Sequence, residues 1–356
     1  MRVVVAMSGG VDSSVAAALL VEGGHDVIGL SMQLYDQGHG GWRFGTCCTL
    51  DDLHDARRVA QALGIPHYIV NLEDEFRRTV LADFVREYAA GRTPIPCAHC
   101  NSELKFATLV DRARGLGADA VATGHYARIS HEADGTLRLY RGADSSKDQA
   151  YFLFGLTQAQ LRRARFPVGE LRKSDVRRLA AERGLPVAVK PDSQEICFVP
   201  DGDYAAVVAR QLPGDHAGLT VHTDGRVLGR HDGVFRFTVG QRKGLGLSGS
   251  EPLFVVKLDA GRKLVTVGPK SALERTSLTA SRVNWIAGAP PAAPRRTSAQ
   301  IRHRHPAAPA LVTPVTDARA RVEFDEPQSA ITPGQAVVFF DGDEVLGGGW
   351  IDSEQS

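Results

Sequence analysis

The sequence predicts an α/β protein: a doubly wound parallel sheet, then a small β-rich central unit and a C-terminal β-barrel-like unit. Three observations predict it. Up to about residue 205, short apolar runs alternate with helical stretches, the order that builds a parallel sheet with ligands beyond the carboxyl ends of its strands. The first apolar run passes straight into Ser8-Gly9-Gly10, a turn that opens a helix. Beyond residue 205, short strand-like segments lie between glycine-containing turns. The boundaries read as 1–205, 206–275 and 276–356.

In order, Arg2–Met7 reads as the first strand and Val15–Leu20 as a helix closed by Gly23-Gly24. Asp26–Met32 (strand), Asp51–Leu63 (helix) and His67–Asn71 (strand) follow, then helices over Glu73–Ala90 and Asn101–Leu116 and a strand over Ala118–Thr123. Asp36–Thr49 is glycine-rich, and 91–97 is a proline-held loop. A hairpin is expected around Leu137–Arg141, with helices over Gln158–Ala164 and Ser174–Arg183. The central unit shows a turn at Thr223-Asp224-Gly225-Arg226 and strands over Phe235–Val239, Leu253–Leu258 and Lys263–Val267. After a Pro/Ala-rich loop, Ala287–Pro294, strands are expected over Ala299–Arg304, Ala318–Phe324, Ala336–Phe340 and Leu346–Ile351.

Composition narrows the function. The 356 residues, 43% hydrophobic and 23% charged, suffice for two or three domains. A formal net charge of +1 excludes a uniformly basic nucleic-acid binder, so any such surface must be a local patch. No stretch is long and apolar enough to span a membrane, and the chain starts in a strand without a signal peptide, so a cytoplasmic location is expected. Five cysteines are too few for a disulfide scaffold and point to catalysis or metal binding.

Ser-Gly-Gly ahead of a helix makes a phosphate cradle: glycines let the backbone approach an anion, and the helix N-terminus offers free N–H groups. Hydroxyls of Ser8, Ser13 and Ser14 are expected to add donors. The Gly-Lys-Ser/Thr ending of the kinase and GTPase loop is absent. Ser8-Gly9-Gly10-Val11-Asp12-Ser13 resembles instead the PP-loop of enzymes that split ATP into AMP and pyrophosphate. ATP contacts are thus expected from Ala6, Met7, Ser8, Gly9, Gly10, Val11, Asp12 and Ser13, with Asp12 ordering the loop or holding Mg²⁺ through water. Gly124 ends a later strand, where a missing side chain would let the nucleotide pack close. Cys100 precedes Asn101, a good N-cap, and a thiol at a helix N-terminus has a lowered pKa. Cys47-Cys48 read as structural.

Six motifs then occur in order: Ser8–Ser14; Gly91–Pro94 with Cys100-Asn101; Thr123–Arg128; Lys147-Asp148-Gln149; Asp192–Phe198; and Gly240–Gly246. Together the chain resembles the tRNA-specific 2-thiouridylases, from residue 1 to about 350. That family adenylates the C2 oxygen of the wobble uridine in tRNAs for Lys, Glu and Gln, and then replaces the oxygen with sulfur. The resemblance implies ATP and Mg²⁺, the tRNA anticodon stem-loop, and a cysteine desulfurase or sulfur-relay protein as partner. It implies that Cys197 receives sulfur as a persulfide, that Cys100 frees it and leaves a disulfide, and that Met32 meets adenine through its backbone. tRNA contacts are implied for His125, Lys147, Asp148, Gln149, Arg302, His303 and Gln335, with Arg302-His303 expected on the basic face of a strand.

One departure matters. Where many members carry Asn-Pro-Asp, this chain has Ile95-Pro96-Cys97, which removes a proposed acid–base residue and creates Cys97-Ala98-His99-Cys100. Cys97, Cys100 and Cys197 could therefore instead ligate a [4Fe-4S] cluster with one iron open to sulfide. Zinc lacks an evident fourth ligand. The rivals are another PP-loop ligase, whose amine nucleophiles need no cysteines, and a non-catalytic nucleotide-gated tRNA-binding module.

Overall fold

Val3, Val4 and Val5 are completely buried, which places β1 (Arg2–Ala6) at the middle of a sheet covered on both faces. The computed structural model describes residues 1–34, 50–192, 196–199, 202–247 and 251–353; Asp36–Thr49, with Cys47-Cys48, lies outside the described residues. β2 (Asp26–Gln33), β3 (His67–Asn71) and β4 (Ala120–Ala122) join β1, as does β7 (Ala164–Arg165) after the hairpin β5 (Ala127–His131) and β6 (Leu137–Arg141). All pairings in this sheet are parallel, in the order β3-β2-β1-β4-β7. The order reverses between β1 and β4, so the crevice that receives ligands opens where both strands end.

α1 (Val11–Glu22) carries no polar stripe; eight of its residues are buried, wedged between the sheet and later helices. α2 (Leu50–Leu63) returns the chain to β3. The expected helix over 73–90 is interrupted: α3 (Glu73–Phe76) passes through a π-helical turn (Arg77–Leu81) into α4 (Ala82–Ala89). The helix expected from Asn101 starts earlier, at α5 (Pro96–His99), because Pro96 takes the first helical position with its φ preset. It continues through a second π segment, Cys100–Lys105, into α6 (Phe106–Gly115). α7 (Gln158–Arg163), α8 (Lys173–Glu182) and α9 (Tyr204–Gln211) follow. α9 was not foreseen; the Asp203 carboxylate caps it at the Ala206 N–H.

The central unit pairs β8 (Gly218–His222), β9 (Val227–His231), β10 (Phe254–Asp259) and β11 (Leu264–Gly268) in the order β10-β11-β8-β9. The expected strand 235–239 is absent. Val234–Arg236 is a 3₁₀ turn, since Phe235 packs on the first domain's core while Phe237 packs under the central sheet.

The last unit comprises β12 (Glu274–Trp285), β13 (Arg295–Gln300), β14 (Ala308–Thr316), β15 (Arg319–Ser329), β16 (Ala336–Asp341) and β17 (Glu344–Ile351). β12 pairs with both β15 and β17, which closes the six strands into a barrel. The expected strand 299–304 is displaced to β13; Arg302–His305 form a turn that carries the chain to β14, with Arg304 at φ 63°. The β5–β6 hairpin adds onto β17 through Tyr140 opposite Glu344 and Leu139 opposite Val345.

All three units meet at residues 91–95. A side chain at Gly91 would press on Leu258 of the central unit, and one at Gly334 on Arg92 and Thr93. Thr93 donates its N–H to Pro333 (2.8 Å) and accepts from Gln335 Nε2 (2.9 Å). Among the described residues no helix is long and apolar enough to cross a membrane.

Candidate active site

The phosphate loop is braced by its own hydroxyls. Ser13 Oγ donates to the Gly10 carbonyl (3.1 Å) and accepts from the Ser8 N–H (3.2 Å), and Ser14 Oγ donates to the same carbonyl (2.8 Å). Ser13 and Ser14 are buried, so of the three expected hydroxyl donors only Ser8 faces solvent. Gly10 is the N-cap of α1 and no side chain caps that end, which leaves first-turn amides for an anion. Gly9 has φ +72°, and a Cβ there would lie 2.2 Å from the Asp52 carbonyl. Ala6 and Met7 lead into the loop, Val11 starts α1, and Met32 is core at the carboxyl end of β2.

Gly124 packs directly against the phosphate loop. A Cβ there would stand 2.5 Å from Ser13 N and 2.7 Å from Asp12 C, so the missing side chain admits the start of α1. Gly124→Ala is expected to displace that turn, costing about 1–3 kcal/mol of stability and about tenfold or more in ATP affinity; thermal melting and calorimetric titration check it.

Four residues at the loop escaped the sequence reading. Lys173 Nζ reaches both oxygens of Asp12 (2.7 and 2.8 Å), and Tyr126 donates its hydroxyl to Asp12 Oδ1 (2.8 Å). Burial and the Asp12 charge push the Tyr126 phenol far up, so it remains a donor. With these partners Asp12 ties the first turn of α1 to Lys173 and Tyr126. Lys190 Nζ donates to the Gly9 carbonyl (3.0 Å), Asp52 (2.6 Å) and Asp55 (2.6 Å). Asp192 pairs with Lys173 (2.9 Å), Lys147 (2.8 Å) and Arg177 (2.7 Å). Burial opposes its ionisation, yet hydrogen bonds from Lys147 and Lys173 win and hold its carboxyl at about 2.

Cys100 and Cys197 fall into one apolar cluster with Met32, Phe76, Phe84, Leu104 and Phe198. Phe198 stands edge-on to both Phe76 (5.4 Å) and Phe84 (5.0 Å), which fixes the segment next to Cys197. Cys100 is buried, Cys197 half-buried and Cys97 exposed, and none of them is in a disulfide. The expected helix N-terminus at Cys100 is corrected: its N–H is bonded back to Pro96 and Cys97, one turn inside the helix. Between them His99 is buried, with Nε2 3.1 Å from Asp83 and Nδ1 3.2 Å from Glu103, its ring stacked on Trp350 of the barrel (4.2 Å, 10°). Among the described residues no three His, Cys, Asp or Glu side chains gather as a metal-holding group.

The expected tRNA-contact residues converge only in part. Arg141 links two of their segments, donating to Asp148 (2.7 Å) and Gln300 (3.2 Å). Asp148 also accepts from the Gly142 and Ala150 amides, and Gln149 Oε1 accepts from the Tyr126 N–H, so both brace the fold. Lys147 is paired with Asp192. Arg302 and His303 lie on the turn after β13, with exposed His303 against the Phe152 ring (4.5 Å). His125 sits between Phe106 and Phe166, bonded to Thr123, and burial with Lys105 nearby pushes it down to about 3, a neutral ring. Gln335 is tied to Thr93.

A parallel sheet with an uncapped glycine-serine loop at its switch point, and two cysteines, Cys100 and Cys197, in the core on one face, marks a PP-loop type of nucleotide enzyme. Three family models match in succession: the tRNA methyl transferase HUP domain over residues 1–201, its PRC-barrel domain over 206–269, and the aminomethyltransferase beta-barrel domain over 275–351. The chain is 56% identical to a tRNA-specific 2-thiouridylase MnmA of Geotalea uraniireducens, covering 99% of this chain and 95% of that one. It is 54% identical to the Geobacter metallireducens protein of the same name, covering 99% and 97%. A solved 4-thiouridine synthetase–RNA complex with bound ATP shares 16% identity at a TM-score of 0.35, over 60% of this chain and 50% of that one. The chain belongs to the MnmA family of tRNA-specific 2-thiouridylases.

Proposed function

We propose that this protein is an ATP-dependent tRNA uridine 2-sulfurtransferase acting on the wobble uridine of tRNAs for Lys, Glu and Gln. The observation that carries this reading is the single apolar cluster holding Cys100 and Cys197, with exposed Cys97 outside it. A nucleotide on the Ser8–Ser13 loop meets the first-turn amides of α1. The uridine C2 oxygen attacks the α-phosphorus, pyrophosphate leaves, and the oxygen becomes part of an AMP leaving group. The terminal sulfur of a Cys197 persulfide attacks C2 and AMP departs. The Cys100 thiolate then attacks Cys197 Sγ, breaking the S–S bond to the substrate sulfur; 2-thiouridine is released and a Cys100–Cys197 disulfide remains for an external thiol to reduce. A cysteine desulfurase or relay protein in the cytoplasm would load Cys197. Mg²⁺, travelling with ATP, would supply charge neutralisation on the phosphates. The anticodon stem-loop would lie on the exposed His303 turn and on exposed Arg242 and Lys243 of the central unit.

The test is anaerobic purification with iron and acid-labile sulfide analysis, alongside tRNA thiolation from a persulfide donor. Iron-free protein that turns over supports the two-cysteine route. Activity that rises and falls with iron overturns it.

A further inference from the structure

The Cys97-Ala98-His99-Cys100 turn holds one thiol that the two-cysteine route leaves idle. The three cysteines are graded in depth: Cys100 is 6% exposed in the first domain's core, Cys197 is half-buried against that core, and Cys97 is exposed. The turn itself is clamped. The Cys100 N–H donates to the carbonyls of Cys97 and Pro96. His99 faces Asp83 of α4 through Nε2 (3.1 Å) and Glu103 through Nδ1 (3.2 Å), and its ring lies flat on Trp350 of the barrel. Ile95 and Ala98 pack in another core, the one shared with the barrel. These contacts fix the rotation of the turn, with Cys100 in the core and Cys97 at the surface. Helical residues three apart have Cα atoms about 5 Å apart, within the range of about 4.4–6.8 Å that a disulfide bridges. Cys97 and Cys100 can therefore bond to each other with only a small adjustment of the turn.

We propose that Cys97 is the resolving cysteine of this enzyme: it attacks Cys100 in the spent disulfide and carries the oxidation to the surface, where a protein dithiol removes it. Sulfur transfer ends with a Cys100–Cys197 bond, and the next turnover needs both thiols back. Cys100, at 6% exposure, offers an external thiol almost no approach, and Cys197 only a partial one. Cys97 stands one turn from Cys100 and needs no access from solvent to reach it. Its thiolate attacks Cys100 Sγ; the Cys97–Cys100 bond forms as the Cys100–Cys197 bond breaks, and the electron pair leaves on Cys197 Sγ, which takes up a proton. Cys197 is then ready for the next sulfur. A dithiol attacks the exposed Cys97 Sγ, expels Cys100 as thiolate and forms a mixed disulfide. Its second thiol closes a disulfide on the reductant and frees Cys97. Two electrons and two protons pass from the dithiol to the enzyme.

This relay rests on the sulfur-transfer reading above, and the experiment separates the two. The full-length protein is loaded from a persulfide donor, freed of it, and given ATP and tRNA without reductant. A thioredoxin lacking its second active-site cysteine is then added, which traps the mixed disulfide, and peptide mass spectrometry identifies the cysteine it is bonded to. Attachment to Cys97 is expected; attachment to Cys197 or Cys100 overturns the relay. In steady state with intact thioredoxin as reductant, Cys97→Ser should lose about tenfold or more in kcat, although its first turnover yields as much 2-thiouridine as wild type. Excess dithiothreitol, small enough to reach half-buried Cys197, should bring the variant to within about twofold of wild type. Equal rates of the two proteins with thioredoxin overturn the relay, and so does a variant that dithiothreitol fails to restore. Absence of 2-thiouridine from the first turnover of wild type overturns the sulfur-transfer reading, and the relay with it.

Discussion

Serine at position 100 or 197 is expected to abolish tRNA thiolation, lowering the rate at least about a thousandfold, while ATP and tRNA still bind. A hydroxyl cannot carry a sulfane sulfur, and it is a poor nucleophile toward a disulfide at neutral pH. The fold should survive both changes. Cys197 is half-buried, and Cys100, though buried, exchanges one small side chain for another at a cost of about 1–2 kcal/mol for the desolvated hydroxyl. Each variant should still release pyrophosphate from ATP in a single turnover with tRNA, because adenylation involves the loop rather than the thiols. A non-catalytic tRNA module would release none even as wild type, and a PP-loop ligase using an amine would be indifferent to both substitutions. Cys97→Ala, outside the shared cluster, should keep most activity with a persulfide donor. Thiolated nucleoside measured by liquid chromatography decides the matter; retained thiolation in both serine variants sinks the mechanism.

Much of the fold was legible because burial imposes periodicity. Arg2–Met7 and Asp26–Met32 read as strands since a parallel strand covered on both faces must be largely apolar along its length. Ser8-Gly9-Gly10 read as an anion cradle because glycines open a helix N-terminus there, and the structure adds a further need for glycine at position 9, where φ is +72° and a Cβ would lie 2.2 Å from the Asp52 carbonyl. The failures have physical causes as well. Asn101 is a plausible N-cap, but Pro96 begins the helix a turn sooner, and local preference gave way to it. Phe235 and Phe237 mimic strand alternation while serving two different cores. Lys173 and Lys190 were missed because nothing in their neighbourhood marks a lysine that meets its partners 161 and 138 positions away. Asp148, Gln149 and Gln335, whose motifs imply tRNA contact, also bond to Arg141, Tyr126 and Thr93, partners that no local sequence pattern marks.

Lys190→Met should damage nucleotide binding more than any loop hydroxyl does. Its ammonium neutralises Asp52 and Asp55 under the phosphate loop while tethering the Gly9 carbonyl. Burial works against the charge on Lys190, but its hydrogen bonds to the two aspartates outweigh that and raise its pKa, so it is a cation throughout the neutral range. Methionine keeps the length and removes the charge, leaving two carboxylates, one of them only 9% exposed, beside the site of an incoming polyphosphate. At an effective dielectric of about 20, each unit charge repels another 8 Å away by about 2 kcal/mol. Two such charges and a loosened Gly9 should together weaken ATP binding by about a hundredfold or more. Stability should fall by about 2–4 kcal/mol, less than for a wholly buried pair because Lys190 is 28% exposed. The loss should shrink in the double variant Lys190→Met/Asp52→Asn, where one carboxylate charge is removed. Calorimetric ATP titration and urea unfolding of the three proteins measure both effects. A double variant no better than the single one would mean that Lys190 acts through the Gly9 tether and not through charge, since asparagine removes the charge and leaves the carbonyl contact as broken as before.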